Sequence, residues 1–377
     1  MSEWSITTIN RLGGLFDGPH ATPTRIDHGP YFLNIASLHA GRLDLTASDH
    51  VSEADFERWT RRVAPRRDDL LFSYETRLGE AALMPEGVRA CLGRRMALLR
   101  PDPNIVDPRF LLYLYLSPNM QKTIELNTIH GATVNRIPLN RMGSWEVSIP
   151  DLVEQQSIAE VLGALDDKIA ANTTLAATIW ELLATEFRSL HAEGELTSKT
   201  LRDLTTLEYG KALPAAEREP GPVAVIGSGG VNGSHSVALV QDSGVVVGRK
   251  GTAGRVIWVD GPHFPIDTTF YARGTRDVFS QPYLYFLLGS LRLDEMNNDS
   301  AVPGLNRSEA LALPVRVPPD QSLASFATKA AVLIGATRAR ARENRTLAAT
   351  RDALIPQLMS GKLRVRDAEK LASHAGA

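Results

Sequence analysis

The chain repeats itself, and this duplication restricts the possible folds more than any other feature of the sequence. Residues 172–178 recur as residues 344–350, with six of seven positions identical at an offset of 172. Three further pairs of segments, all upstream of these in their own half, match at similar offsets and occur in the same order in both halves. They are residues 71–79 with 246–254, 108–113 with 282–286, and 133–150 with 301–318. A period this long excludes a solenoid of small repeats and indicates a duplicated domain.

Each half begins with short apolar runs that Gly, Pro, Asn and Asp interrupt, a pattern that predicts strands joined by turns. These runs are residues 31–35, 70–72, 96–99, 223–226, 245–247 and 256–259. One compact helix is predicted in each half, at residues 108–116 and 282–288. The predicted fold class is therefore α+β, with two tandem domains of mixed α/β type.

After each of these domains the apolar residues take a helical spacing. In the first half the intervals alternate between three and four residues at Leu162, Leu165, Ile169, Asn172, Ala176, Ile179 and Leu183. This is the seam of a coiled coil on a helix of about 35 residues, which would be some 50 Å long. A second helix is predicted over residues 321–359, with seam positions at Leu323, Phe326, Ala330, Leu333, Asn344, Leu347, Leu354 and Leu358.

The two helical segments carry opposite charge, although the chain as a whole has a net charge of only −2. Residues 151–197 hold 2 basic and 9 acidic side chains, whereas residues 318–377 hold 10 basic and 5 acidic ones. We therefore expect the helices to pair as an antiparallel coiled coil. Asn172 and Asn344 lie in the seams, where a polar residue sets register at a cost in stability.

The patterns predict five segments: a first domain (1–150), a first helix (151–197), a second domain (198–317), a second helix (318–366) and a tail (367–377). The single cysteine, Cys91, excludes an intrachain disulfide, and no apolar stretch approaches the length of a membrane helix. The first residues also lack the apolar region of a secretory signal. We therefore expect a cytoplasmic protein that does not enter a membrane.

No motif in the sequence predicts an active site. Residues 227–233 are rich in glycine after a predicted strand, but turn residues follow where a dinucleotide site needs a helix. The histidines show no metal-ligand spacing, and no phosphate loop is present. This favours a binding protein that holds neither metal nor cofactor. Two alternatives stay open: a degenerate or fused DNA methyltransferase, and a scaffold that joins two proteins without binding DNA.

Polar residues on the predicted turns are candidates for contact with DNA. Arginine reads guanine and asparagine reads adenine in the major groove, while lysine, serine and threonine hold phosphates. Both halves place a glycine-edged turn that bears basic residues, 74–79 and 249–254, after the same strand. The candidates are His20, Thr22, Tyr74, Arg77, Asn135, Arg136, Ser228, Asn232, His235, Arg249, Lys250, Arg255, Asn306 and Arg307.

The sequence resembles a known family at several of these places. Residues 150–172, from Pro150-Asp151-Leu152-Val153-Glu154-Gln155 to Leu165-Asp166-Asp167-Lys168-Ile169 and Asn172, resemble the conserved helical region in specificity (S) subunits of type I restriction–modification systems. Residues 354–363 are similar to the C-terminal signature of that family, and residues 17–23 and 248–254 resemble turns of its target-recognition domains. The likeness covers nearly the whole chain.

This resemblance implies a function in DNA recognition without catalysis. Two target-recognition domains would each read one half of a split, asymmetric sequence in double-stranded DNA, and the helices would fix the spacer. The helices would also dock two methyltransferase (M) subunits, and restriction (R) subunits are left open as further partners. S-adenosylmethionine and ATP with magnesium would be used by those partner subunits. The candidates for helix pairing and docking are Gln155, Leu162, Leu165, Ile169, Asn172, Ile179, Asn344, Leu347, Leu354 and Leu358.

Overall fold

The computed structural model describes residues 4–19, 22–131, 134–192, 195–296 and 304–375. The chain forms two compact units. Unit 1 consists of residues 1–171 with 343–377, and unit 2 of residues 172–342. These boundaries cross both long helices, whereas the sequence pattern gave each helix a segment of its own. The difference arises because each half of each helix buries its apolar seam in the core of one unit.

The described part of unit 1 contains small sheets and short helices. Its strands are β1 (Ser5–Thr8), β2 (Gly13–Asp17), β3 (Ile26–Leu33), β4 (Leu38–His39), β5 (Arg42–Leu43), β6 (Asp49–His50), β7 (Leu70–Ser73), β8 (Ala81–Leu83), β9 (Ala90–Leu92), β10 (Met96–Pro101) and β11 (Glu146–Ile149). Its helices are α1 (Ile9–Leu12), α2 (Glu53–Trp59), α3 (Pro108–Leu116), α4 (Pro118–Asn127) and α5 (Leu139–Met142). The long helix α6 (Leu152–Ala192) begins in this unit.

Helix α3 has the bounds that the sequence predicts, and its local chemistry explains them. The carboxylate of Asp107 accepts a hydrogen bond of 2.9 Å from the backbone N–H of Phe110. Pro108 occupies the first turn, where its missing N–H costs nothing. The side chains of residues 110–115 are all buried, so this helix is wrapped by the core of unit 1.

Unit 2 repeats this organisation. Its strands are β12 (Thr197–Thr200), β13 (Thr205–Tyr209), β14 (Val223–Gly227), β15 (Gly230–His235), β16 (Gly244–Gly248), β17 (Val256–Val259), β18 (His263–Pro265), β19 (Thr269–Gly274) and β20 (Pro314–Val317). Its helices are α7 (Leu201–Leu204), α8 (Gln281–Ser290) and α9 (Arg307–Leu311). The second long helix, α10 (Asp320–Leu358), begins in unit 2, and α11 (Val365–Ala375) follows it in unit 1.

The sheets of the two units have the same order and the same register. The four-stranded antiparallel sheet is β2-β10-β7-β8 in unit 1 and β13-β19-β16-β17 in unit 2. The three-stranded sheets, β6-β3-β9 and β15-β14-β18, each contain one parallel pair, β3 with β9 and β14 with β18. A two-stranded ladder, β1-β11 or β12-β20, leads into each long helix. The duplication and the α+β class predicted from the sequence are confirmed.

The long helices pair in antiparallel orientation, as predicted, within each unit. In unit 1 the carboxylate of Asp166 on α6 lies 2.6 Å from the guanidinium of Arg351 on α10. Three residues further along α6, the carbonyl of Ile169 accepts a hydrogen bond of 3.5 Å from the side chain of Asn344, seven residues earlier on α10. In unit 2 the carboxylate of Glu186 lies 2.8 Å from the ammonium of Lys329. The opposite charges of the helices therefore face each other in both units.

Most of the predicted seam residues are buried. On α6 they are Leu162, Leu165, Ile169, Asn172, Ile179 and Leu183, and on α10 they are Leu323, Phe326, Ala330, Leu347, Leu354 and Leu358. Asn344 is half-buried. Arg351 occupies a seam position as well, and its side chain is only 12% exposed because it folds onto Asp166.

The segment after α10 differs from the expected tail. Its residues 365–375 form α11, which packs on unit 1 through Val365, Ala368 and Ala372. These positions are three and four residues apart, so they form one apolar stripe on a helix. Ala368 is fully buried.

Candidate nucleic-acid interface

In each unit, one end of the four-stranded sheet brings together three of the candidate side chains. We call this the turn edge, and it is formed by the end of the first strand of that sheet and by the turn after its central strand. In unit 1 it comprises Asp17, residues 74–79 and Arg136; in unit 2 it comprises Tyr209, residues 249–254 and Arg307. Gly79 and Gly254 close the equivalent turns with φ values of +86° and +80°, which glycine adopts without strain.

Two arginines of unit 2 stack on one tyrosine at this edge. The guanidinium carbon of Arg249 lies 4.9 Å from the centroid of the Tyr209 ring, and that of Arg307 lies 5.0 Å from the same centroid. Nη1 of Arg249 also donates a hydrogen bond of 3.0 Å to the carbonyl of Asp267. Tyr209 is 49% exposed and Arg307 is also exposed, whereas Arg249 is half-buried.

The cations of this cluster have no acidic partner among the residues that the structure describes. In the part of the chain that the structure describes, no carboxylate lies within ion-pair distance of Arg249, Lys250 or Arg307. Most other arginines around them are paired; Arg273, for example, lies 3.1 Å from the carboxylate of Glu208. An unpaired, stacked guanidinium offers several N–H donors in a fixed plane, which suits phosphate or guanine.

Other candidates of unit 2 are exposed, but their polar atoms are partly used by the protein. Asn306 caps α9, since its side-chain oxygen accepts from the backbone N–H of Ser308 at 2.9 Å. Arg255 is exposed and donates to the carbonyl of Gly229 at 2.7 Å. Ser228 is half-buried and Asn232 exposed, and both lie on the hairpin of β14 and β15. That hairpin explains the glycine-rich run, because strand, turn and strand here replace the strand, turn and helix of a dinucleotide site.

His235 does not fit the prediction. Its side chain is 8% exposed, and Nδ1 accepts a hydrogen bond of 3.1 Å from the backbone N–H of Glu219. A buried imidazole with this bond holds the segment around Glu219 in place and is not available to DNA.

Tyr74 and Arg77 of unit 1 are also structural. Tyr74 is 5% exposed and donates a hydrogen bond of 2.8 Å to the carbonyl of Arg94, and burial raises the pKa of its phenol to about 12. Arg77 donates to the carbonyl of Ile35 at 2.9 Å and lies 3.4 Å from the carboxylate of Glu80. The turn folds back on the sheet, so these two side chains hold the turn against the sheet and do not project into solvent.

The remaining candidates of unit 1 are exposed, except His20, which lies outside the described residues. Thr22 borders a cleft of about 340 Å³ that Arg25, Arg94 and Arg95 also line. Asn135 and Arg136 are exposed, and the backbone of Arg136 bridges to that of Glu75. Basic side chains are therefore present on unit 1, but at places different from those of unit 2.

The common register makes this difference explicit. Met96 pairs with Ser73 as Thr269 pairs with Gly248, and Ala97 pairs with Asp17 as Phe270 pairs with Tyr209. The resulting equivalences at the turn edge are Asp17 with Tyr209, Tyr74 with Arg249, Glu75 with Lys250, Arg94 with Asp267, Arg95 with Thr268, Arg136 with Gly304, and Leu139 with Arg307. Each basic position in one unit is thus neutral or acidic in the other.

Tyr209 lies at the centre of this cluster but is not among the DNA-contact candidates predicted from the sequence. The available signal was its position before Gly210, which is equivalent to that of Asp17 before Gly18. In both units this glycine makes a close approach: a Cβ on Gly18 would lie 2.5 Å from the carbonyl oxygen of Gly93, and one on Gly210 would lie 2.1 Å from that of Ile266. The residue before it must therefore sit at the end of the sheet.

The helix residues also differ from part of the prediction. Gln155, a docking candidate, is 1% exposed. Its side-chain nitrogen donates to the carbonyls of Ile105 (3.1 Å) and Pro150 (2.9 Å), and its oxygen accepts from the N–H of Asp107 (3.0 Å). Gln155 therefore fastens the start of α6 to unit 1. The buried leucines and isoleucines of the seam likewise join the helices and present no surface to another subunit.

The acidic pair of the helical motif anchors α3 to α6. Asp166 accepts a hydrogen bond of 2.7 Å from the hydroxyl of Tyr113, and Asp167 binds the guanidinium of Arg109 through both oxygens, at 2.9 and 3.1 Å. Burial is the main reason that the pKa of Tyr113 lies above its ordinary value. These contacts explain the motif by the assembly of unit 1.

The described residues form neither a metal site nor a membrane-spanning helix. No group of three or more His, Cys, Asp or Glu side chains among them is arranged to hold a metal ion. No helix in the same residues is long and apolar enough to cross a membrane.

Comparison with known proteins places the chain. Residues 57–181 match a family model described as the type I restriction modification DNA specificity domain. The chain is 29% identical over 179 residues to the putative type I restriction enzyme MjaX specificity subunit of Methanocaldococcus jannaschii, covering 44% of this chain and 40% of that one. It is 24% identical over 244 residues to the type I restriction enzyme EcoBI specificity subunit of Escherichia coli, covering 62% and 50%.

A solved structure extends the likeness to the fold of nearly the whole chain. The S subunit of a type I restriction–modification system from M. genitalium matches with a TM-score of 0.60 and 19% identity, over 95% of this chain and 96% of that one. The chain spans at most half the length of these two curated relatives. The matched domain, the relatives and the solved structure nevertheless all point to the same kind of protein, a type I specificity subunit. Residues 57–181 therefore match the type I restriction modification DNA specificity domain, and the chain is similar in sequence and fold to specificity subunits of type I restriction–modification systems.

Proposed function

We propose that the chain is the subunit that reads DNA sequence for a type I restriction–modification enzyme. The observation that carries this proposal is the duplicated turn edge. Two domains with the same sheet register carry their basic side chains at different positions of the turn edge. A duplicated reader with unlike contacts suits a target made of two unlike half-sites, because base contacts are local to each domain.

The long helices supply the second part of the proposal. They fix the spacer between the half-sites and dock two methyltransferase subunits; restriction subunits could join the same assembly. Leu175 and Leu182 support the docking role, because these large apolar side chains are 43% and 44% exposed on α6. They are seven residues apart and so share one face of the helix, outside the buried seam. Exposed apolar faces of this kind bind other proteins.

In this proposal the chain itself is not catalytic and acts in the cytoplasm. S-adenosylmethionine is bound by the methyltransferase subunits, and ATP with magnesium by the restriction subunits. The charged side chains of the turn edges are compatible with a binding surface: they are partly or fully exposed cations, or are held in ion pairs such as that of Glu75 with Arg95 at 3.5 Å.

Methylation mapping tests the proposal. The full chain is expressed with its methyltransferase subunit in a host that lacks other methyltransferases, and the genome is sequenced by a method that detects methylated bases. We expect methylation at a two-part sequence with an unread spacer of constant length. The matched control is Arg292→Ala, which removes an exposed arginine of unit 2 paired with Glu295 and should leave the target unchanged. A continuous target, or methylation that does not depend on the chain, contradicts the proposal, and binding of S-adenosylmethionine by the isolated chain would favour an enzyme.

A further inference from the structure

We propose that Tyr209 positions Arg249 and Arg307 to read guanine in the half-site bound by unit 2. This inference rests on the proposed function and names the residues that carry it in one unit. Tyr209 is therefore a positioning residue that acts through the two arginines.

The first step of the argument is the geometry of the cluster. One exposed ring holds two guanidiniums, at 4.9 and 5.0 Å from its centroid. A cation held over a ring face keeps N–H donors for a further ligand, and the backbone carbonyl of Asp267 uses one N–H of Arg249. Two like charges on one ring would separate in water unless the ring or a ligand held them.

The second step is the degree of preorganisation. Arg249 is fixed by the Tyr209 ring, by the Phe270 ring at 6.0 Å and by the carbonyl of Asp267. Arg307 begins α9, immediately after its capping residue, so its backbone is fixed as well. A phosphate accepts a cation from many directions, whereas the O6 and N7 atoms of guanine need a guanidinium of defined orientation. Two arginines that are held in place and have no acidic partner within the described ranges therefore favour base reading.

The third step is the contrast between the units. Unit 1 holds Asp17, Tyr74 and Leu139 at the positions of Tyr209, Arg249 and Arg307. No stacked arginine pair exists at that edge of unit 1 among the described residues. The two half-sites should therefore differ at the bases that this cluster contacts.

Selection from a randomised duplex pool tests the inference, using the full chain and two variants of Tyr209. The wild-type chain should select two half-sites, one of which contains guanine at one or two fixed positions. Tyr209→Phe retains the ring and should select the same sequence. Tyr209→Leu removes the ring and should lose the guanine preference at those positions, with about tenfold weaker binding to the wild-type target. The other half-site should stay unchanged, and it serves as the internal control for folding.

A charge-preserving variant separates base reading from charge. Arg307→Lys keeps the cation but loses the planar donor pair, so the guanine preference should fall while the salt dependence of binding stays the same. Arg276→Ala is the matched control, since this arginine also stacks on a ring, that of Phe279 at 5.6 Å, but is paired with Asp320. Its removal should leave both half-sites unchanged.

The outcomes distinguish failure of the inference from failure of the proposed function. If the wild-type chain selects a two-part sequence but Tyr209→Leu selects the same one, the inference is overturned and the proposed function stands. A uniform loss of affinity with unchanged preferences also overturns it, since the arginines would then contact phosphates. If the wild-type chain selects no sequence, both fail.

Discussion

Buried polar side chains do much of the positioning in this protein, and the family motif on α6 shows how. Gln155, Asp166 and Asp167 are polar residues on a helix that the sequence pattern assigns to pairing and docking. Each instead bonds to α3 or to the loop before it. Gln155 and Asp166 satisfy polar groups that would otherwise be buried without a partner, whereas Asp167 forms an exposed ion pair with Arg109. At the residue scale, the motif is therefore explained by the attachment of α6 to unit 1.

Gln155 gives a direct test of this interpretation. Gln155→Ala leaves the carbonyls of Ile105 and Pro150 and the N–H of Asp107 without their side-chain partner. We expect a loss of about 2–3 kcal/mol in the free energy of unfolding, measured by urea denaturation. The control is Gln156→Ala on the adjacent, exposed glutamine, which should change stability by less than about 0.5 kcal/mol. Equal effects of the two substitutions would contradict a structural role for Gln155.

At the scale of elements, the pairing of α6 with α10 combines an apolar seam with charges of opposite sign. The ion pairs are not equivalent. In unit 1 the side chain of Arg351 is 12% exposed and that of Asp166 is 24% exposed, whereas in unit 2 those of Lys329 and Glu186 are 48% and 35% exposed. Solvent screens the second pair far more than the first. The coiled-coil pattern does not reveal this difference, because it gives the position of a residue along the helix and not how deeply its side chain is buried.

Alanine substitutions should reveal this difference in burial between the two ion pairs. Arg351→Ala removes the nearer and less exposed cation of the half-buried Asp166 carboxylate and leaves Arg42 at 3.6 Å, and we expect a loss of about 1–3 kcal/mol in the free energy of unfolding. Lys329→Ala removes an exposed pair and should cost less than about 1 kcal/mol. Urea denaturation of both variants at low and at high salt measures the contrast, and the effect of Lys329→Ala should shrink further in salt. A larger loss for Lys329→Ala than for Arg351→Ala would show that exposure does not control these pairs.

The exposed face of α6 provides a second prediction at this scale. The double variant Leu175→Ser, Leu182→Ser should weaken association with the methyltransferase subunit, because it removes two large apolar contacts from one face. The fold should be retained, since neither residue belongs to the buried seam. Co-purification and analytical ultracentrifugation measure the complex. Val332→Ser, which changes an apolar residue 70% exposed on α10, is the matched control and shows whether the effect is specific to the α6 face. Unchanged association of the double variant would remove this face from the docking surface.

At the scale of the whole molecule, duplication predicts that one half of the target can be changed alone. If residues 1–150 are replaced by the equivalent domain of another specificity subunit, one half-site should change and the other half-site and the spacer should not. The hybrid must keep Asp107, Arg109 and Tyr113, because these residues attach the domain to α6. Methylation mapping of the hybrid gives the result. A hybrid that rewrites both half-sites would contradict independent reading by the two units.

The sequence alone was sufficient for the repeat, the fold class and the seam of the long helices. Duplication, a strand pattern and a coiled-coil spacing are local or periodic properties of a sequence. They can be recognised without a structure because every copy of the pattern needs the same kind of residue. Helix α3 was predicted with its bounds because Asp107 and Pro108 mark its start. The family resemblance of residues 150–172 and of the turns was also visible at this level.

Only the tertiary structure decided which polar residues face solvent. Four polar residues are of types common in binding sites: Tyr74, Arg77, His235 and Gln155. The hydrogen-bonding groups of each are instead used by a carbonyl, an N–H or a carboxylate from elsewhere in the chain. Tyr209 became a candidate because the sheet brings Arg249 and Arg307, 40 and 98 positions further along the chain, onto its ring. Such contacts depend on long-range register, which no local pattern of residues encodes.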